Sequence, residues 1–554
     1  MSEASYLEVI IEKIPRLLGL LNRNISSRYY GCFDRDYWHY NIVDFACARK
    51  QEAVLTLTLT YIIKHQKNIY YLNEEILQFI KAALMFWTKT QNRNGSFNEW
   101  YPNENSFVAT AFSTYAISES VLLLKDVLHE SERQSVIKSL IKAGEWLQRR
   151  DELRVMNQQT GAAVALLNLY LLTSDKKFLD ISKDKINILK QKQSSEGWFM
   201  EYEGPDIGYL SLSIDYLVKY YLKSKDKQVK EIVICAMSFI KYFIQPNLKA
   251  GGEYTSRNTE YLIPSGFEAF SAFNDDARFI ASVNRETIND NALFPNIFDD
   301  RYLTYTGYTW LQSHLSSNSG LDNSAKMIIN EHFGKPFTEY FKESGLLIIN
   351  DNLKHLIINL KKGGGFRLFD KRSEMLYSDS GILVKSDDRW YTSGWLSKSQ
   401  YEKRHDALTV SGKMTRIPDK VLSPLNNILF RLFQFTFGRS SFLSMHLKEK
   451  LRDLLITKSS SSDIRFNRTV FFSFSPDKLL EVKEDIYTDK PCISAVVRGA
   501  RDTHIYVPSS RYYAVMSEKP FHKYFSSPIE RYRTNWYIIS GEGCTFEEEV
   551  NGSF

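Results

Sequence analysis

Between residues 253 and 261 the chain places Glu253, Tyr254, Arg257, Asn258, Glu260 and Tyr261, a denser run of polar and aromatic side chains than an ordinary loop carries. An arginine in such a run can grip a carboxylate through two parallel N–H bonds. The amide of Asn258 and the phenol of Tyr261 can join the same chemistry. Two further stretches, Asp34-Arg35-Asp36-Tyr37-Trp38-His39-Tyr40 and Asn98-Glu99-Trp100-Tyr101, mix acids with aromatic rings. Those are sugar-holding types, and they read equally well as packed, ion-paired loops. Glu99, Glu203, Asp206 and Glu260 also fall in loops, and a pair of carboxylates is what an inverting glycoside hydrolase needs. The 33 Tyr and 35 Phe fit large cores, and their flat faces also suit the C–H face of a pyranose.

These residues must be carried by helices. From residue 5 to about 330 apolar residues recur at three and four positions, as in 53–61 and 76–87, and short polar loops intervene. Three loops join glycine to an aromatic: Gly95-Ser96-Phe97, Gly197-Trp198-Phe199 and Gly251-Gly252-Glu253-Tyr254. Their separations of 102 and 54 residues suit a helical hairpin repeat of about 50 residues. Such hairpins close into an α/α toroid with the glycine–aromatic loops lining a funnel at one end; an open solenoid is the competing arrangement.

After about residue 335 the texture changes. Glu343-Ser344-Gly345-Leu346-Leu347-Ile348-Ile349 is echoed 36 residues later by Asp379-Ser380-Gly381-Ile382-Leu383-Val384-Lys385. Further strand signals lie at 469–474, 495–497 and 536–539. The expected fold is α+β and multidomain: an N-terminal (α/α) toroid over 1–335, then a C-terminal antiparallel β-sandwich-like domain over 336–554. Lys361-Lys362-Gly363-Gly364-Gly365 reads as a flexible turn and Ser459-Ser460-Ser461-Ser462 as a mobile loop. A basic helical insertion interrupts the strands at about 413–460. Residues 411–460 hold nine Lys/Arg and three Asp/Glu, a net +6 that equals the charge of the whole chain. The insertion is either a hairpin packed on the β domain or a peripheral membrane contact through 421–456.

Composition narrows the class. The chain has no Lys/Arg block and no zinc-finger spacing, so nucleic acid is not an expected partner. Five scattered cysteines without a CxxC pair read as reduced thiols. Residues 1–21 carry Glu3, Glu8 and Glu12 and lack the basic start and unbroken apolar stretch of a secretory signal. The expected location is cytoplasmic, peripheral at the inner face of the membrane.

Several short motifs, taken in order, resemble the heparinase II/III-like group of polysaccharide lyases over most of the chain. They are Asn157-Gln158-Gln159-Thr160-Gly161-Ala162, the stretch from Gly197-Trp198-Phe199 through Glu203-Gly204-Pro205-Asp206 to Tyr209, Asp379-Ser380-Gly381, Lys403-Arg404-His405-Asp406-Ala407-Leu408 and Arg468-Thr469-Val470-Phe471-Phe472. The resemblance implies β-elimination on a uronate-containing polysaccharide, with no metal and no organic cofactor. Removing the weakly acidic C5 proton leaves an enolate-like dianion on the carboxyl group. A neutral amide or a His must bond that carboxyl, and a Tyr or His must move protons. On the same footing Asn157 is the carboxylate-neutralising amide, and Gln158 stands where relatives often have His. Tyr209 is the catalytic tyrosine. His405 is the last His of a His-x-His-Ala-Asp motif, here reduced to His405-Asp406-Ala407. Gln158, Arg257, Asn258, Tyr261, Glu253, Trp198 and Tyr202 are expected to bind substrate, an acidic polysaccharide or lipid-linked glycan handled in surface-polysaccharide biosynthesis. A uronyl C5-epimerase, an inverting glycoside hydrolase, and a non-catalytic glycan-binding or scaffold protein are the alternatives.

Overall fold

The computed structural model describes residues 5–288, 296, 299–317, 324–395, 399–418, 423–452, 460–472, 478–498 and 521–549. Short helices α1 (Tyr6–Ile11), α2 (Ile14–Leu20) and α3 (Arg35–Trp38) lead into a series of helix pairs. These are α4 (Ala53–Ile62) with α5 (Glu74–Lys89), α6 (Phe107–Leu123) with α7 (Glu130–Gln148) and α8 (Asn157–Thr173) with α9 (Lys176–Lys192). They continue as α10 (Ile207–Ser224) with α11 (Lys227–Ile240), α12 (Ser265–Phe270) with α13 (Asp275–Thr287), and α14 (Asp300–Ser316) with α15 (Ala325–Gly334). The even-numbered helices from α4 to α14 pack each on the next, and α14 returns to α4 and closes the ring. A methyl added at Gly307 of α14 would lie 3.1 Å from Thr56 Oγ1 of α4, so the closure is tight. The toroid is therefore closed, not an open solenoid.

Inner and outer helices differ in sequence for a physical reason. An inner helix is covered on all sides, so it carries apolar and small residues all round. Many of its hydroxyls bond its own backbone: in α6, Thr110, Ser113 and Ser120 donate to carbonyls four residues back, at 2.7, 2.6 and 2.8 Å. Outer helices are striped; α9 buries Phe178, Ile181, Ile186 and Leu189, and of its lysines only Lys185, paired with Asp151, is buried with them.

The glycine–aromatic loops precede inner helices, but their rings are core. Phe97, Trp198, Phe199 and Tyr254 are all buried, and Phe97 stacks on Trp87 at 4.4 Å. The true repeat is a glutamine–glycine pair. Gln91 Nε2 donates to Gly95 O (3.0 Å) and to Ser139 O of α7 (2.8 Å). Gln193 Nε2 does the same with Gly197 O (3.0 Å) and Ile232 O of α11 (2.9 Å). Gln51 repeats it between Gly31 O and Ala83 O of α5. Each glycine has positive φ (92°, 95° and 103° at Gly31, Gly95 and Gly197) and presses its backbone on an outer helix. A Cβ at Gly197 would meet Cys235 O at 2.1 Å.

Beyond α15 the chain is strands. A meander of β1 (Phe337–Phe341), β2 (Leu346–Asn350), β3 (Lys354–Asn359), β4 (Gly365–Asp370) and β5 (Leu376–Asp379) forms a five-stranded antiparallel sheet. The second sheet uses β6 (Leu383–Ser386), β7 (Arg389–Thr392), β8 (Gln400–Lys403), β9 (Ala407–Arg416), β10 (Ser461–Phe471), β11 (Lys478–Tyr487), β12 (Ile493–Arg498), β13 (Phe521–Ile529), β14 (Arg531–Ile539) and β15 (Gly543–Glu549). Its order is β13-β12-β6-β7-β9-β10-β11-β14-β15, with β8 added against β9. The two sheets share one core, in which Leu347, Leu356 and Leu368 cluster with Leu408, Val482 and Trp536. The insertion forms α16 (Pro424–Phe435) and α17 (Ser441–Arg452); residues 421–422 and 453–456 of the expected membrane segment lie outside the described residues.

Two expectations are corrected. Ser461 and Ser462 are not loop residues but open β10, while Ser459 lies outside the described residues. The turn at 361–365 is not a flexible joint: Lys362 is buried and bonded to the toroid.

Gly197→Ala should destabilise the helical half by roughly 2–4 kcal/mol, since it combines a left-handed backbone with a clash against Cys235 O. A lowered thermal transition in calorimetry checks this, and an unchanged transition would contradict the close approach.

Candidate active site

Because each glycine-bearing loop precedes an inner helix, the N-terminal ends of α6, α8, α10 and α12 gather at one end of the ring. Asp206 organises that end. It is fully buried and caps α10, accepting from Tyr209 N at 3.1 Å. Its Oδ2 accepts from Thr255 Oγ1 (2.9 Å), Arg257 N (3.2 Å) and Thr259 N (3.3 Å), and its Oδ1 from Thr259 Oγ1. One carboxylate thus fixes Tyr209 and Arg257 relative to each other.

Asn157, the first residue of α8, does not cap the helix with its side chain. Its Nδ2 donates to Glu201 Oε2 (3.1 Å) and its backbone N–H to Glu201 Oε1 (2.9 Å). Burial raises the Glu201 carboxyl well above the usual range and outweighs the Asn157 N–H bond, and Asp206 and Glu152 add to the rise. The neutral acid is thereby favoured beside Asn157. Arg257, 2% exposed, lies with Cζ 4.0 Å over the Tyr202 ring. Its Nε has no hydrogen-bond partner, and among the described residues no carboxylate pairs with it. Burial pushes the Tyr209 phenol well above its ordinary value, with Tyr302 and Tyr202 adding to this and the Arg257 guanidinium opposing it. Tyr202 and Asn258 hold left-handed backbones (φ 66° and 58°), a strain that non-glycine residues keep mainly at functional sites.

The remaining expected residues divide. Gln158 and Asn258 are half-buried at the same end, and Asn258 Oδ1 accepts from Lys362 Nζ at 2.5 Å. Tyr261 is buried, edge-on to Tyr302 at 6.1 Å. Glu253, expected to touch substrate, is instead buried against Arg367, with Oε2 accepting from Arg367 Nε (2.8 Å) and Ser378 Oγ (3.0 Å). Trp198 is also buried, and its Nε1 donates to Glu196 Oε2 at 2.8 Å, which makes it a packing residue. His405 is exposed at the turn between β8 and β9, and among the described residues no contact links it to Asn157, Tyr209 or Arg257.

On the opposite side of the funnel sequence reading offered Glu99 and Trp100 but missed Arg49 and Arg301. Arg49 lies 3.9 Å over the Tyr305 ring, paired with Glu52 at 2.8 Å and Glu99 at 3.8 Å. Arg301 lies 4.8 Å over the exposed ring of Trp100. These groups come from three separate segments, so no local pattern joins them. Among the described residues no cluster of His, Cys, Asp or Glu is placed to hold a metal ion.

Besides the turn at Glu343 and Ser344, which bonds Ser194 and Glu196, the β half meets this end at two further places. Arg367 of β4 pairs with Glu253 at 2.6 Å and with Glu260, and donates to Gly251 O at 3.1 Å. Lys362 Nζ donates to Glu253 O and Thr255 O (2.5 and 2.7 Å), and Asn359 Nδ2 to Tyr254 O (2.6 Å). At the other place, the α16–α17 hairpin holds the loop before α6. Asn103 Nδ2 donates to Gln434 O (3.0 Å), Ser444 Oγ to Asn103 O (2.5 Å), and Lys448 pairs with Glu104 (2.6 Å). Glu104 in turn accepts from the N–H groups of Glu99 and Trp100, both at 2.7 Å. The insertion therefore packs on the toroid.

Residues 44–261 match the sequence family described as the ulvan lyase N-terminal domain. The chondroitin AC lyase of Streptomyces coelicolor A3, solved in complex with chondroitin sulphate, superposes with a TM-score of 0.55 at 8% identity, covering 89% of this chain and 67% of that one. The fold is that of a polysaccharide lyase. The resemblance to heparinase-like lyases expected from the short motifs is borne out. A heparan sulfate lyase of Pedobacter heparinus, HepC, is a more distant structural relative (TM-score 0.40, 8% identity, 90% of this chain and 82% of that one). No curated protein matches the chain in sequence.

In this lyase fold Arg367 is the joint between the halves. Arg367→Ala leaves Glu253 and Glu260 buried without their cation and should cost about 3–5 kcal/mol. Chemical denaturation followed by tryptophan fluorescence measures it; a loss below about 1 kcal/mol would show that the pairing is not structural.

Proposed function

We propose that this protein cleaves a uronate-containing polysaccharide by β-elimination. The observation that carries the reading is Arg257: a buried guanidinium beside Tyr209 whose Nε is unpartnered and which no carboxylate pairs among the described residues. An unpaired buried cation is unfavourable in the empty protein and favourable once an anion arrives. A uronate carboxylate is such an anion, and C5, the carbon that bears it, carries the acidic hydrogen. A fold shared with a lyase solved with chondroitin sulphate supports an acidic polymer as substrate.

In this reading Arg257 and the second N–H of the Asn157 amide bond the carboxyl group as charge develops on it. A neutral Glu201 orients that amide without repelling the substrate. The Tyr209 phenolate takes the C5 proton. The electron pair forms the C4–C5 double bond as the C4–O bond breaks, and the phenol returns its proton to the leaving oxygen. Of the four carboxylates an inverting hydrolase could draw on, Asp206 is saturated by hydrogen bonds, Glu260 is paired with Arg367 and Glu99 with Arg49, which leaves Glu203 without a second. That favours elimination over hydrolysis.

Tyr209→Phe should lower kcat by roughly 10²–10⁴-fold while leaving glycan binding intact. Product formation is followed by the near-ultraviolet absorbance of the unsaturated uronate. Because the Tyr209 pKa is raised, its reactive base form is scarce at neutral pH. The value of kcat/KM should then climb about tenfold per pH unit from neutrality upward, a slope absent in Tyr209→Phe. Full activity in that variant would overturn the reading. Solvent deuterium at C5 without chain cleavage would replace it with epimerisation.

A further inference from the structure

We propose that the α16–α17 hairpin seats this protein on an anionic lipid surface, with the mouth of the toroid turned toward that surface. An ordinary surface helix hides its apolar stripe and shows its polar one; α16 does the reverse. Phe430, Arg431 and Gln434 face the toroid: the Phe430 ring lies 5.0 Å from that of Tyr101, Arg431 pairs with Asp44 at 2.8 Å, and the Gln434 carbonyl accepts from Asn103. The other face holds Leu425, Ile428, Leu429, Leu432 and Phe435, between 47% and 64% exposed. Phe442, at the start of α17, is 72% exposed and adds to them. The spacing of three, one, three and three residues makes a single stripe along the helix.

Charge decides the occupant. Residues 423–452 contain Arg431, Arg439, Lys448, Lys450 and Arg452 against one acid, Glu449. Arg431 and Lys448 serve the toroid contacts, whereas Arg439 and Lys450 are exposed on the same hairpin. A second copy of the chain would bring the same cations face to face, because a two-fold interface presents one patch to itself. A glycan offers no aliphatic surface for six large apolar side chains. An anionic bilayer offers both, an acyl boundary for the stripe and headgroups for the cations. No helix among the described residues is long and apolar enough to cross a membrane, so the contact is peripheral. The hairpin is anchored on the loop before α6, at the same end as Asn157 and Tyr209. The lipid surface and the funnel mouth therefore lie together, and a glycan displayed on the membrane would meet the site.

The test is co-sedimentation of the full chain with vesicles of pure phosphatidylcholine and of equimolar phosphatidylcholine and phosphatidylglycerol. Binding is expected only to the anionic vesicles and should weaken as salt rises. The double variant Ile428→Glu, Leu432→Glu should bind roughly tenfold less or worse. So should Arg439→Glu, Lys450→Glu, with unchanged thermal melting in both. No sedimentation of the wild type, undiminished binding by both variants, or a dimer in ultracentrifugation that Ile428→Glu, Leu432→Glu dissolves, would each overturn the proposal. None of these readouts uses turnover, so their failure is distinct from failure of the lyase reading.

Discussion

The buried guanidinium of Arg367 ties the β half to the end of the toroid that holds the site. It reaches from the small sheet into the loop before α12, holding Glu253, Glu260 and the Gly251 carbonyl at once. Gly252 is required there, because a side chain would meet the guanidinium at 2.3 Å. From the other side Asp206 holds the same loop through Thr255, Arg257 and Thr259. Arg257 is thus pinned between an acid of the toroid and a base of the β half, and its guanidinium is left as the group in the loop without an acid of its own. Fixed placement of a charge before the reaction is what makes it effective on a developing anion, since no reorganisation is needed when the charge appears.

The protein treats its buried charges in two ways. Those at the domain joint and in the β core are paired: Arg468 sits between Asp379 at 2.9 Å and Glu484 at 3.5 Å. At the funnel Arg49 is paired with Glu52 and Glu99, but Arg257 and Glu201 are treated differently. Arg257 is unpaired among the described residues, and burial favours the neutral form of Glu201. The same burial that raises Glu201 also raises Glu99 and Tyr209.

The fold was legible because its signals are local. Inner helices apolar all round, striped outer helices and glycine-led loops each follow from a few neighbouring residues, as does the shift to strand signals after residue 335. The site was legible only in part. Asn157, Tyr209 and Arg257 stood in recognisable motifs, and the structure brings them to one end of the ring. Glu253 and Trp198 belonged to equally suggestive stretches but are taken up by packing, a distinction that rests on Arg367 and Glu196 far away in sequence. Arg49, Arg301 and Trp100 could not be joined without closing the ring. His405 shows the limit of a motif in isolation, since its place at an exposed turn depends on how β8 adds to β9. The repeat was read from its aromatics, whereas the conserving geometry lies in Gln91–Gly95 and Gln193–Gly197, where a side-chain amide spans two carbonyls.

The β half grips the toroid at the loop before α12 and, through the α16–α17 hairpin, at the loop before α6, which stand on opposite sides of a ring of inner helices. A body fastened at two points can still turn about the line between them, but Glu343 of the β half also accepts from Ser194 and Ser195 in the loop before α10, which adds a third point. The aperture above the funnel is therefore a fixed gauge rather than a jaw: the calibre of chain admitted is set by where these loops are riveted, and widening it means drawing the hairpin's rivets at Asn103 and Glu104.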